Sequence, residues 1–289
     1  MGAFSRRHPT VNILFFVLAA IPAALSSHPA VLFISVTAAF GYSVRLGCGV
    51  KRSVLLLILP VILTSLVNGI FSHYGVTTLY TLSSGNRITL EAFVYGAVAG
   101  TAIAAMILWF ACWNEVVTED KFMCVFGKFA PHTALLVLMV LRFVPLYSRR
   151  LSETSAALCV GTERKRTARL KASVKALSGV MTWALEKSVD TADSMKSRGY
   201  GAGKRKSYSR FRFSARDGVL TAFILVCGTA FIAGAAAGKL EASYNPIIYV
   251  GMPDSAGMIA AVMYALLCFM PLIYDAEEEI RWNKSFSKI

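Results

Sequence analysis

Residues 193–206, DSMKSRGYGAGKRK, combine three glycines with five cations and could support two kinds of chemistry. A glycine-rich loop followed by lysine can hold phosphates, whereas an arginine before a glycine at a helix end can bind carboxylates or carbonyls of another protein. A phosphate-binding loop requires the pattern G-x-x-x-x-G-K-[ST]. Aligning Gly203-Lys204 with it places Arg198 at the first glycine and Arg205 at the hydroxyl position. The sequence therefore does not favour a nucleotide site here.

Residues for catalysis or metal binding are sparse in the rest of the chain. The six cysteines form no C-x-x-C pair, and the four histidines are scattered. The long apolar runs contain no Asp or Glu; Glu91 and His73 lie at the edges of the loop over residues 72–91. These observations predict a chain that is not an enzyme and holds no cofactor or metal of its own.

The composition is that of a membrane protein. Of the residues, 56% are hydrophobic and 16% are charged, and the mean hydropathy is +0.58. Soluble domains carry about 25% charged residues, so the apolar surplus exceeds what a core needs. We predict an all-α, polytopic membrane fold. On such a chain the net charge of +14 bears on topology, and we expect no nucleic-acid partner.

Six apolar runs approach the roughly 17–25 residues needed to cross a bilayer. They cover residues 11–27, 30–47, 53–71, 92–112, 218–237 and 257–274. We predict a four-helix transmembrane region over 1–112, a cytoplasmic helical domain over 113–217, and two further transmembrane helices with a tail over 218–289. The first run, preceded by Arg6-Arg7, is also compatible with a cleavable signal peptide. The second run follows after a short turn, which favours a helical hairpin.

The distribution of cations predicts the orientation. If both termini are cytoplasmic, all of the 30 Lys and Arg residues except Arg87 and Lys239 lie on the cytoplasmic side. The opposite orientation would violate the excess of positive charge in cytoplasmic loops. We therefore predict a multi-pass membrane protein with both termini in the cytoplasm.

The middle segment, 113–217, carries 20 Lys and Arg against 9 Asp and Glu. Within it, residues 133–146 are apolar but interrupted by Arg142 and Pro145, which indicates a helix at the membrane boundary. Apolar residues then recur at steps of three and four up to about Ser197, the pattern of an amphipathic helix. We expect breaks at Gly161-Thr162 and at Gly179, and a helix end at Gly199.

Three ordered motifs resemble the transmembrane T component of energy-coupling factor (ECF) transporters, the family that includes the cobalt-transport membrane subunit. HPTVNILFFV (8–17) is similar to that family's His/Asp-Pro-x-x-Lys opening, with Asn12 in place of lysine. LRFVPLYSRRL (141–151) is similar to its Arg-Phe-x-Pro entry to the coupling region. SMKSRGYG (194–201) is similar to its second coupling motif, Ala-Met-x-Ala-Arg-Gly-[Phe/Tyr]. The resemblance covers residues 9–217.

The resemblance implies a subunit of an ATP-driven importer of vitamins or transition metals in a bacterial or archaeal cell membrane. Two ABC-type ATPases would bind the two coupling helices, and a small membrane S component would carry the substrate; ATP would be bound by the ATPases. The second motif supplies Ser197, Arg198 and Gly199. The first, Ala-x-x-Ala-Arg-Gly, corresponds to residues 156–161, with Val160 in place of arginine beside Gly161. We therefore expect a weaker, more apolar contact with the ATPase at the first coupling helix.

Other cations receive supporting roles. Arg142 and Pro145 are expected at the membrane boundary, where Arg142 would bond helix-end carbonyls or lipid phosphate. If the register of the first motif has drifted, Arg164 could take the place of its arginine. The remaining basic residues would attract acidic ATPase surfaces or anionic lipid head groups; they include Arg164, Lys165, Arg166, Lys204, Arg205 and Lys206.

Alternative interpretations stay open at the level of sequence. A polytopic scaffold could use the same basic platform to recruit anionic lipid or a partner that is not an ATPase. A permease with its own substrate pathway is disfavoured, because such pathways usually contain ionisable groups. Small residues in the fourth and fifth runs could form a surface for the S component or pack within the subunit; examples are Gly100, Ala104, Gly228 and Ala233.

Overall fold

The structure is a computed structural model that describes residues 2, 4–72, 75–81, 87–159, 166–203, 211, 213–240, 242–244, 248–251 and 254–286. Nine helices and four short strands are assigned within these residues. After a 3₁₀ turn at Phe4–Arg6, the helices are α1 (Pro9–Leu25), α2 (Pro29–Arg45), α3 (Val50–Phe71), α4 (Leu90–Val116), α5 (Glu119–Phe129), α6 (Pro131–Cys159), α7 (Arg166–Ser197), α8 (Ala215–Ala236) and α9 (Ser255–Phe286). The structure confirms the prediction of a predominantly helical fold.

Two short antiparallel β-hairpins, which the sequence did not predict, lie in the loops. Strands β1 (Thr78–Thr81) and β2 (Arg87–Thr89) connect α3 to α4, and β3 (Ala242–Ser243) pairs with β4 (Tyr249–Val250) between α8 and α9. At two to four residues per strand they are too short for a readable alternation of polar and apolar residues.

The chain divides into two compact units. Unit 1 comprises Met1–Lys121 and Phe211–Ile289, and unit 2 comprises Phe122–Arg210. Helix α5 begins in unit 1 and continues into unit 2. Unit 2 lies within the predicted segment 113–217 and contains α6 and α7.

Four helices of unit 1 are long and apolar enough to cross a membrane: α3, α4, α8 and α9. Helices α1 and α2 are apolar but shorter, with 17 residues each. Only 6% of the apolar window of α3 is buried, and its apolar side chains surround the helix. A helix that is apolar all round needs an apolar environment, so the structure is compatible with a membrane-embedded protein.

Helix α4 is central to unit 1 because it packs against α1, α2 and α3. Gly96 and Gly100 lie against the backbone of α3; an added Cβ on Gly100 would come within 2.7 Å of the Cα of Val61. Thr64 of α3 donates a hydrogen bond to the carbonyl of Gly96 at 2.9 Å. These contacts show that the small residues at positions 96 and 100 serve packing within the subunit.

An aromatic core joins α1, α2 and α4. Phe15 contacts the ring of Trp109 edge to face at 5.7 Å, and Trp109 donates its indole N–H to Ser35 at 2.9 Å. Phe4, from the N-terminal turn, is fully buried against Phe15, and its amide donates to Asp275 of α9 at 2.9 Å. Phe4 is therefore part of the folded core.

The two ends of unit 1 differ in charge. One end, here called the charged end, holds the N-terminal turn, the starts of α3 and α8, and the ends of α2, α4 and α9. Ion pairs join these elements: Arg7 lies 3.7 Å from Asp217, and Arg45 lies 2.8 Å from Glu279. The opposite end holds the α1–α2 turn and the hairpins, where Tyr244 donates to the carbonyl of Ser27 at 3.1 Å.

Lys121 fastens the N-terminal turn at the charged end. Its buried ammonium donates to the carbonyls of Ser5 and Val116, and the second carbonyl is left without a helical partner at the end of α4. Burial lowers the pKa of Lys121. The Lys121 side chain thus satisfies two backbone carbonyls and joins the N-terminal turn to the end of α4.

Candidate functional site at the end of helix α7

Helix α7 ends in a tight reversal around Gly199. The amide of Gly199 donates to the carbonyl of Lys196 at 2.9 Å, and that of Tyr200 donates to the carbonyl of Met195 at 3.0 Å. Gly199 has φ +83°, a left-handed conformation that glycine adopts without steric cost. This is a Schellman motif, with Arg198 as the C-cap residue. The predicted helix end at Gly199 is confirmed.

The reversal presents Arg198 to the surroundings. Residues 197–203 are all exposed, and the described part of the chain records no side-chain hydrogen bond or ion pair for Arg198. Its backbone amide still donates to the carbonyl of Ser194 at 3.3 Å. The guanidinium therefore projects from an ordered helix end with its donors available for a carboxylate or carbonyl.

Ser197 has a local structural role. Its hydroxyl donates to the carbonyl of Ser194 at 2.9 Å, one turn earlier in α7. The hydroxyl proton is therefore used in a hydrogen bond within α7, although the oxygen can still accept a hydrogen bond. Of the second predicted motif, Arg198 is the residue with the most unused hydrogen-bonding capacity.

Helix α7 exposes a long apolar stripe. Ala176 and Val180 are buried, whereas a neighbouring row of apolar side chains is between 48% and 70% exposed. We call this row the α7 stripe; it comprises Leu170, Val174, Leu177, Met181, Leu185 and Val189. The sequence predicted the amphipathic pattern, and the structure shows that unit 2 leaves the α7 stripe uncovered. Exposed apolar surface of this kind is typical of an interaction face.

Aromatic contacts fix α7 against α6. Tyr147 stacks on Phe143 at 5.6 Å and meets Trp183 edge to face at 5.9 Å. The guanidinium of Arg150 lies 5.5 Å from the centre of the Trp183 ring. Sequence reasoning missed Trp183. Its spacing could have indicated its role, because a residue seven positions after Ala176 lies on the same face of a helix. These contacts set the geometry from which the end of α7 projects.

Arg142 and Pro145 lie on α6 and are exposed. The helix continues through Pro145 as one element from Pro131 to Cys159, so the predicted helix is present and its position at the membrane boundary stays a prediction. Arg142 lies in the helix interior, and in the described residues no hydrogen bond to a helix-end carbonyl is recorded for it. Gly179 does not break α7 either; the interhelical contacts on both sides of it carry the helix through.

The first predicted coupling motif lies partly in α6 and partly outside the described residues. Val160, Gly161 and Arg164 lie outside the described residues, in the segment 160–165 between α6 and α7. The described residues on either side end α6 at Cys159 and begin α7 at Arg166. The role of Val160 stays a prediction.

Within the described ranges, no group of three or more His, Cys, Asp or Glu residues is arranged to hold a metal ion. The chain matches no protein-family model and no curated protein. The candidate site is therefore defined by the residues at the end of α7 and by the apolar surface that leads to them.

Proposed function

We propose that this chain is the transmembrane scaffold (T) subunit of an ECF-type ABC importer for vitamins or transition metals. It couples ATP hydrolysis by two cytosolic ATPases to the reorientation of a small S component that holds the substrate. The chain itself hydrolyses nothing and binds no cofactor; ATP belongs to the partner subunits. In this proposal all six helices α1–α4, α8 and α9 cross the membrane, and unit 2 is the cytoplasmic coupling domain.

The observation that carries the proposal is the exposed Arg198 on a capped helix end. A coupling element must transmit force, so it needs a rigid support and a directional contact. The Schellman motif supplies the support, and a guanidinium can form two parallel hydrogen bonds with a carboxylate in an ATPase groove. The exposed α7 stripe offers an apolar surface beside this contact, which suits assembly with further subunits.

The charge of unit 1 supports a cytoplasmic position for unit 2. The chain leaves unit 1 after Lys121 and returns at Phe211, both at the charged end. In the described residues that end holds most cations of unit 1, whereas Arg87 and Lys239 belong to the opposite end; the charged end holds Arg6, Arg7, Arg45, Lys51, Arg52, Lys121, Arg216, Arg281 and Lys284. Cytoplasmic loops carry such an excess, which supports the proposal that both termini are cytoplasmic.

The apolar helices of unit 1 support a scaffold over a permease. No Asp, Glu, Lys or Arg occurs within residues 11–44, 53–86, 92–114, 218–238 or 255–274. Transporters with their own proton or ion pathway usually place ionisable side chains in these regions. The uncharged spans fit a subunit that leaves substrate binding to a partner.

The test is co-purification. The chain is expressed with the ABC ATPases and small membrane proteins encoded near it, and tagged chain is isolated in mild detergent. We expect both ATPases to co-purify with the wild type and to be lost from Arg198→Glu, because the charge reversal repels the acceptor. Lys175→Glu, an exposed cation of α7 away from the helix end, is the matched control and should retain them.

The alternative is a polytopic scaffold whose basic platform recruits anionic lipid or a partner other than an ATPase. The α7 stripe, flanked by Lys171 and other cations, is the observation that favours it. Under this alternative, no ATPase co-purifies with the wild type, and Arg198→Glu and Lys175→Glu behave alike. That result would reject the importer proposal.

A further inference from the structure

Four arginines converge on one cavity at the charged end of unit 1. The cavity has a volume of about 320 Å³ and lies between the N-terminal turn, the first turn of α8 and the last part of α9. Arg6, Arg7, Arg216 and Arg281 line it, together with Tyr274, Glu277 and Glu278. These arginines are up to 275 residues apart in the sequence, so no local sequence motif indicates the site.

Two of the arginines are held in place by acidic or aromatic neighbours. The guanidinium of Arg7 lies 3.7 Å from Asp217 and 4.8 Å from the centre of the Tyr274 ring. Asp217 is itself fixed, because its other oxygen accepts the amide of Ser214 at 3.1 Å in the capping box of α8. Arg281 pairs with Glu277 at 2.5 Å. These contacts fix Arg7 and Arg281 in the wall of the cavity.

The other two arginines have unused donors. Arg6 and Arg216 are exposed, and the described residues contain no ion pair or side-chain hydrogen bond for either. Arg216 is also the second residue of α8, where the helix dipole favours an anion. Positive charge exceeds negative charge among these residues by one, even when Asp217 is counted with Glu277 and Glu278. The cavity therefore suits an anion with several acceptor oxygens.

We propose that this cavity binds a phosphate group, and that a membrane phospholipid supplies it. Arg6 and Arg216 would bond the phosphate oxygens, and Arg7 would add positive potential from its fixed position. This site goes beyond the proposed function and does not depend on it, since it lies in unit 1 and involves no ATPase.

The surroundings of the cavity favour a lipid over free phosphate. Val219 lies one turn after Arg216 on α8, and Ile273 lies one turn before Glu277 on α9. Both are at least 60% exposed, and residues three or four positions apart share a helix face. Acyl chains could follow these apolar side chains toward the middle of the bundle while the head group occupies the cavity. Basic pockets at the ends of membrane helices bind phospholipid head groups in this way.

The test is native mass spectrometry of the full chain in detergent, titrated with phosphatidylglycerol. The test variant is Arg6→Gln with Arg216→Gln. The control is Lys51→Gln with Arg52→Gln, which removes the same charge from exposed cations at the same end but outside the cavity. We expect wild type and control to bind one lipid tightly, and the test variant to bind it at least about tenfold more weakly, as loss of charge-assisted hydrogen bonds implies.

Two further measurements test the site independently of the double variant. Glu278→Gln removes a negative charge from the cavity, so it should tighten lipid binding by about two- to threefold, even if the double variant folds poorly. In the second measurement, inorganic phosphate is added to the lipid-bound chain. It should displace the lipid only at concentrations far above those at which phosphatidylglycerol binds. Equal lipid binding by wild type and the Arg6/Arg216 variant would overturn the site, and tight binding of inorganic phosphate without lipid binding would overturn the lipid as its source.

Discussion

The amide of Tyr200 donates to the carbonyl of Met195 at 3.0 Å, and this hydrogen bond closes the loop whose apex is Arg198. The arginine is thus held at a defined point, although its side chain is exposed. Gly199, with φ +83°, permits the closure.

Gly199→Ala should loosen this loop. A Cβ in the left-handed region costs about 1–2 kcal/mol, although nothing lies within 4 Å of the added atom. We expect faster hydrogen exchange at the Tyr200 amide, with the rest of α7 unchanged. Unaltered exchange would contradict the assigned role of Gly199.

Arg198→Ala should uncouple the importer without destroying the fold. The side chain is exposed, so its removal should change the free energy of unfolding by less than about 0.5 kcal/mol. In proteoliposomes with the co-purified partners, we expect less substrate uptake for each ATP hydrolysed. Lys175→Ala serves as the control, and normal coupling in Arg198→Ala would refute the role of the arginine.

The α7 stripe should matter for assembly and not for the stability of the isolated chain. Leu177→Asn with Leu185→Asn should leave the melting temperature of the purified chain nearly unchanged, because both side chains are already exposed. The same variant should recover less of the partner subunits. Ala176→Asn, at a buried position, should instead lower the melting temperature. Equal recovery of partners by the wild type and the stripe variant would exclude the stripe as a contact.

Gly100→Ala should destabilise unit 1. The added Cβ would come within 2.7 Å of the Cα of Val61 and closer still to the Thr64 hydroxyl, so α3 and α4 would have to separate. We expect a loss of about 1–3 kcal/mol, measured as a lower melting temperature in detergent. Gly179 lies in the middle of α7, and a Cβ added there would meet nothing within 4 Å. Gly179→Ala should therefore stabilise the folded chain by up to about 1 kcal/mol. Identical melting temperatures for the two variants would contradict the close contact of α3 and α4.

Lys121→Met should detach the N-terminal turn. The carbonyl of Val116 would lose its donor, and that of Ser5 would keep only the side-chain amide of Asn12 at 3.4 Å. An unsatisfied buried carbonyl costs about 1–3 kcal/mol. The expected signs are a lower melting temperature and faster proteolysis before α1. Lys51→Met, at an exposed position, should have no such effect. Unchanged proteolysis in Lys121→Met would show that the turn is held by other contacts.

The sequence predicted the elements better than their contacts. Apolar runs and the Arg198-Gly199 pair are local signals, so the helices of unit 1 and the end of α7 could be located before the structure. The expected break at Gly179 was wrong, because contacts such as that of Trp183 with Tyr147 stabilise a long helix across a residue of poor helix propensity. The arginine cavity was missed because its members come from both ends of the chain.

The burial of Phe4 has a practical consequence for work with this protein. Its ring lies in the aromatic core and its amide is bonded to Asp275, so a purification tag joined directly in front of it would disturb α1 and α9 at once. A tag carried beyond the exposed residues at the end of α9 would avoid that core. Labels intended to report on this bundle belong at the carboxyl side.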